Sequence, residues 1–218
     1  MTARQRRARA AGAAWTAAER KLLERLDVPA AIQAFLDSIP YSADPIYRCP
    51  RSVMRDRKAH CFDGAVFAAA ALRHLGFPAR LLDLRAERDD DHVLALFERR
   101  GRLGAIAKSN YATLRWREPV YRTRRELAMS YFDFYFNTEG EKSMRSYSTP
   151  VDLHALDALQ WTVRDEAMEV IASRLNSVRH VPVLTPAMAR ALAPVDDRTY
   201  RASMFGTDPA GLYKPKPR

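Results

Sequence analysis

Two residues in this chain have the type and setting for nucleophilic chemistry. Cys61 stands where a basic, turn-like segment gives way to a long Ala-rich run, in KAHCFDGAVFAAAALRHLGF. His92 opens a later apolar run, HVLALFER, directly after three aspartates. A cysteine attacks as its thiolate, and a helix N-terminus, carrying roughly half a positive charge, favours that anion. An imidazole beside it would form an ion pair with it and later protonate a leaving group. A third polar group would then be needed to orient the ring. The competing reading makes Cys61 a small core residue, because free cysteine is among the most buried types. It makes His92 a strand-edge residue facing solvent.

The elements that would bring the two together follow from periodicity and punctuation. Residues 61–74 read as a helix, with Gly76 placed just past its end and Pro78 barring continuation. The period then changes. Residues 79–86 (ARLLDLRA), 92–99 (HVLALFER) and 103–109 (LGAIAKS) read as strands, joined by turns at 88–91 and 100–102. Such short turns predict an antiparallel meander. Upstream, residues 11–26 predict a helix with Trp15, Leu22, Leu23 and Leu26 on one face. Pro29 lies near the first turn of a second short helix. Pro40, Pro45 and Pro50 mark a loop running to about residue 58. Downstream, residues 123–137 predict a helix, 138–150 a loop or short edge strand, and 156–175 a further helix. The chain divides into a basic flexible arm over residues 1–10, one domain over 11–180, and a Pro-rich extended tail over 181–218.

Composition bounds the function. The chain of 218 residues is long enough for one domain with a real core, and its 47% hydrophobic and 28% charged content is that of a globular protein. No apolar run is long enough to span a membrane, and no secretory h-region follows the basic N-terminus. The expected location is the cytoplasm, where the two cysteines would be reduced thiols. The net charge of +10 favours a nonspecific acidic partner, but the arginines are dispersed and form no nucleic-acid recognition motif. His60, Cys61 and Cys49 lack zinc-site spacing, and the three aspartates at 89–91 read as a solvated turn. No nucleotide-binding loop is present, so no metal or cofactor is expected. The aromatic run YFDFYF (residues 131–136) reads as core rather than as a substrate wall.

The run HCFDGAVFAAAALRHLGFPARLLDL, followed by DDDHVLALF and GAIAKSNY, resembles the core of the transglutaminase-like superfamily of papain-type cysteine enzymes. The resemblance covers about residues 48–117. It implies an α+β fold, with N-terminal helices and the Cys helix packed on an antiparallel sheet. In that family Cys opens a helix, a GxPAR turn leads into the first strand, His lies on the second strand and Asp on the third. Cys61, the GFPAR run and His92 match in order and type. The third position departs: the end of the third strand offers Lys108, Ser109 and Asn110 and no carboxylate. An Asn can orient an imidazole through its amide oxygen, so Asn110 is the expected third member, with Ser109 behind it. The implied function is a cysteine-dependent hydrolase or acyltransferase acting on an amide or thioester bond of a protein, peptide or other amide substrate. The alternative is an inactive, basic binding protein that kept the fold. No calcium-site signature accompanies the core.

Overall fold

A capping box opens the first helix of the computed structural model, which describes residues 15–215. Thr16 Oγ1 accepts from the Glu19 N–H, and the Glu19 carboxylate accepts from the Thr16 N–H, satisfying two donors at the start of α1 (Ala17–Arg25). The basic arm expected over residues 1–10 lies outside the described residues. Pro29 occupies the first position of α2 (Pro29–Asp37), where its missing N–H costs nothing. The expected loop to residue 58 contains a helix, α3 (Pro50–Asp56). Pro50 starts that helix, and Arg57, at φ 52°, ends it in the left-handed region. A proline signals a helix start as readily as a turn.

The central helix is α4 (Cys61–His74). It is buried from Cys61 through Leu72, and its run of small alanines lets neighbours approach on every side. Gly76, at φ +90°, turns the chain out of the helix, with its N–H on the Arg73 carbonyl and that of Phe77 on Leu72.

The strands are β1 (Arg80–Ala86), β2 (His92–Arg99), β3 (Arg102–Ile106), β4 (Arg117–Tyr121), β5 (Met144–Ser148), β6 (Val151–Asp152) and β7 (His180–Pro182). They form one seven-stranded sheet in the order β4-β3-β2-β1-β5-β7, with β6 also on β1. All pairings are antiparallel. The architecture is α+β, with the Cys helix packed on an antiparallel sheet, as expected. The expected edge strand near residues 138–150 is instead the interior strand β5, between β1 and β7. Its serines disguised it: buried Ser148 accepts from the Asp83 N–H at 2.9 Å, so a polar residue serves an interior strand.

Both faces of the sheet are covered. Leu81, Val93, Ala95 and Phe97 pack with α4 and the first helices. Leu82, Leu84, Leu94 and Leu96 pack with α5 (Arg124–Phe132), Tyr135 and Met144. Double burial explains why β2 reads as an unbroken apolar run rather than an alternation. Residues 153–159 form a 3-10 stretch before α6 (Ala167–Ser177). The segment beyond residue 181 is not simply extended. It holds α7 (Pro186–Arg190), α8 (Asp197–Met204) and a 3-10 turn at Pro209–Gly211. Tyr200 of α8 stacks on Phe136 with ring centroids 5.6 Å apart, and its hydroxyl donates to the Thr138 carbonyl.

Candidate active site

Cys61 is the first residue of α4, and the helix start is fixed from behind. The Asp63 carboxylate accepts from the His60 N–H at 3.1 Å and from the Arg48 N–H at 2.9 Å. It thereby caps α4 and ties the preceding loop to it. Gly64, one turn on, lets the chain after β3 pass close by: a Cβ there would stand 2.3 Å from Cβ of Lys108. The helix start meets the turn between β1 and β2, where the Cys61 thiol faces the Asp91 carbonyl at 3.7 Å. His92 follows Asp91 as the first residue of β2, so it and Cys61 line one cavity at that end of the sheet.

Three side chains surround the sulfur. His60 places Nδ1 at 3.4 Å and Nε2 at 3.9 Å. With both nitrogens at similar range, neither N–H points end-on at the sulfur, and His60 acts mainly as a nearby charge. His92 lines the same cavity as Cys61. Tyr41 packs its ring 5.5 Å from that of His60 and lines the same cavity as Cys61. Burial pushes the thiol toward its neutral form, but the two imidazoles, His60 foremost, outweigh this and pull it down to about 6. The same ion pair raises His60 to about 9, against the opposing effect of burial. Tyr41 is driven well above its ordinary value by burial and by the thiolate, so it stays a protonated hydroxyl donor. Cys49, fully buried beside Ser52, is shifted upward by burial and stays a thiol.

A family model described as the transglutaminase-like superfamily matches residues 14–93, a span that includes both Cys61 and His92. That stretch is similar to the core of this superfamily. No curated protein matches the chain.

The third position of the site differs from the sequence expectation. Nε2 of His92 meets the carbonyl oxygen of Leu114 at 2.8 Å, so the ring donates there. Leu114 ends a 3-10 turn, Ala112–Leu114, beyond β3. The bond fixes the neutral tautomer and leaves Nδ1 as the nitrogen able to take a proton. Tyr131 and Tyr135 pack edge-on against the ring. Asn110 does not reach His92. Its amide is spent on the backbone of Asp208, donating to the carbonyl at 2.9 Å and accepting from the N–H at 2.8 Å. Ser109 caps the local turn by accepting from the Tyr111 N–H at 3.0 Å. Both residues nonetheless line the cavity at Cys61 and His92.

Sequence reasoning missed His60, Tyr41 and the Leu114 carbonyl. His60 was visible beside Cys61 but was weighed only as a metal ligand. Among the described residues no group of three or more His, Cys, Asp or Glu could hold a metal ion. Asp89, Asp90 and Asp91, expected as a solvated turn, form one wall of the cavity. Asp89 accepts from Ser143 Oγ at 2.6 Å, and burial lifts it to about 6. A much larger hollow of about 990 Å³ opens at the other end of β1 and β2, around Gly76 and Arg80, and contains none of these groups.

Proposed function

We propose that this protein is a cysteine-dependent hydrolase or acyltransferase acting on an amide or thioester carbonyl, with Cys61 as nucleophile and His92 as base and acid. The observation that supports it is the placement of Cys61 at the first turn of a buried helix, against the imidazole of His60 and in one cavity with His92. Cys61 attacks the carbonyl carbon as the thiolate paired with His60, forming a C–S bond and an oxyanion, and His92 Nδ1 carries the proton that the leaving group needs. The His92 proton then passes to the leaving amine or thiolate as its bond to the acyl carbon breaks. Water or another acceptor attacks the thioester, gives its proton to His92 and releases Cys61. The Leu114 carbonyl holds the ring in the required tautomer, as a side-chain amide or carboxylate does elsewhere. His60 supports the thiolate by charge, and the protonated Tyr41 offers a donor to the oxyanion.

Labelling with a thiol-directed activity probe, followed by mass mapping, tests this reading. The expected adduct is on Cys61, and it disappears in Cys61→Ser. Adducts that form first on Cys49 would overturn the assignment.

A second reading, a non-catalytic binding protein on the same fold, draws on one observation. The His92 ring receives no side-chain amide or carboxylate at Nε2, only a backbone carbonyl. A carbonyl orients an imidazole but stabilises its charged form less than a carboxylate does. Turnover of a peptide or thioester substrate that vanishes in His92→Ala would exclude this second reading.

A further inference from the structure

The cavity that holds Cys61 and His92 has a volume of only about 30 Å³. That is about the space one water molecule occupies in the liquid. Cys61 and His92 are each 4% exposed. An amide with its flanking groups does not fit, and what closes the space is the chain itself. Gly211 and Tyr213 line the same cavity as Cys61 and His92.

The closing segment is tied down at a few points. Both amide groups of Asn110 pair with the backbone of Asp208. Asp208 caps the following 3-10 turn by accepting from the Ala210 N–H at 2.9 Å. Leu212 then runs extended, and Thr138 Oγ1 donates to the Tyr213 carbonyl at 3.1 Å. Between these ties the chain crosses at Gly211, where only a residue without a side chain passes. A Cβ there would stand 2.6 Å from Tyr41 Cδ1 and 3.1 Å from Asn110 Nδ2. The ties are hydrogen bonds to backbone, of the kind any polypeptide can offer.

We infer that the space over Cys61 is a polypeptide-binding groove with a glycine-selective crossing between Tyr41 and Asn110, and that the chain's own segment 208–214 fills it as an internal pseudosubstrate that must leave before a substrate enters. The inference rests on the reading of Cys61 as an acyl-transfer nucleophile. Asn110 is then a peptide-binding residue rather than the orienter of His92.

The test uses the full chain and reads access to Cys61 by the rate of iodoacetamide alkylation, mapped by mass, with buried Cys49 as internal reference. Gly211→Val drives the segment out by steric clash, and Asn110→Ala releases it without adding bulk. Both variants are expected to alkylate at Cys61 on the order of tenfold faster than the parent, because reactivity follows the open population. The peptide DPAGLYK, added in trans to Gly211→Val, is expected to restore slow alkylation, and DPAALYK is not. Unchanged rates in both variants, or equal protection by the two peptides, would overturn the inference. Alkylation reads access alone. A variant that opens Cys61 yet turns over no peptide or thioester would refute the enzyme reading while leaving the pseudosubstrate in place.

Discussion

His60 faces the sulfur of the residue that follows it in the chain, with its ring nitrogens 3.4 and 3.9 Å from Cys61 Sγ. Adjacent side chains usually diverge. These converge because His60 is the extended residue before α4 and Cys61 is its first helical residue, so the backbone turns between them. The thiol is lowered to about 6 and the imidazole is raised to about 9. Between these values the folded pair carries its proton on His60, whereas separated groups would carry it on sulfur. Folding thus relocates one proton without net uptake, and the two linkage effects cancel. The depressed thiol favours the fold increasingly as pH rises through the interval, and the raised imidazole does so decreasingly. The pair sets reactivity with little effect on pH-dependent stability.

Alkylation of Cys61 should therefore show a thiolate titration at mildly acid pH, well below that of an ordinary cysteine, while Cys49 stays unreactive because burial shifts it the other way. Mass-mapped alkylation across pH 4 to 9, run on Gly211→Val so that access does not mask ionisation, measures both. A Cys49 that reacts as a thiolate at lower pH than Cys61 would rule out Cys61 as the activated group.

The two histidines should separate by readout. His60→Ala removes the largest influence lowering the thiol, so the alkylation midpoint moves up, while turnover at alkaline pH is largely retained. His92→Ala removes the proton carrier, and turnover should fall by about 10²–10⁴ at every pH. If His60→Ala abolishes turnover across the range and His92→Ala merely shifts the profile, the two roles are reversed.

The sequence showed the parts of the site that depend on local chemistry. Cys61 at a helix start, the Gly76 exit and His92 opening a strand all follow from residue type and short-range order, and α4 and β2 occupy the expected residues. The parts that depend on long-range packing were hidden. The Leu114 carbonyl has no sequence signature, because every residue carries one. Tyr41 reaches Cys61 only through the fold of the loop before α3. Asn110 was legible as a polar residue past β3, but its partner lies 98 residues away, in a segment read as tail. Polar composition hid β5, whose buried Ser148 is satisfied by the neighbouring strand β1.

Gly64 tests how the site is positioned. Gly64→Ala gains up to about 1 kcal/mol of helix propensity. It also forces a methyl to within 2.3 Å of Lys108 Cβ, next to backbone rather than to a yielding side-chain tip. Overpacking of this kind costs about 1–3 kcal/mol, so the variant should be less stable by chemical denaturation. The displacement should also spread to α2, because Lys108 Nζ donates to the Leu36 and Ile39 carbonyls at its C-terminal end. A variant as stable as the parent would show that α4 and the β3 exit are not in close contact.

Two buried carboxyls should give the protein a stability that falls as pH rises from about 4 to 6. Asp83 is lifted to about 6 by burial and by the nearby charge of Asp91, and Asp89 to about 6 by burial. Both start from an ordinary value of 3.8. The sign follows from proton counting. Between those values the folded state holds protons that the unfolded state has released, so stability is fully present below the lower value and is lost through the higher one. Asp83 also ties β1 to β7. Its Oδ2 lies 2.9 Å from His180 Nε2, while His180 Nδ1 lies 2.9 Å from the Val178 carbonyl and must donate to it. A neutral imidazole that donates through Nδ1 can only accept through Nε2, so the Asp83–His180 bond requires one proton shared by the pair. Asp83→Asn supplies that hydrogen permanently from its amide. It should keep β7 tied to β1 while flattening the loss of stability toward pH 6. Asp89→Asn, which still accepts from Ser143, should flatten it further. Urea midpoints measured for the parent and both variants between pH 4 and 7 give the slopes. A parent whose stability rises steadily over that range, unchanged by either substitution, would show that these carboxyls are ionised in the fold at ordinary acidity.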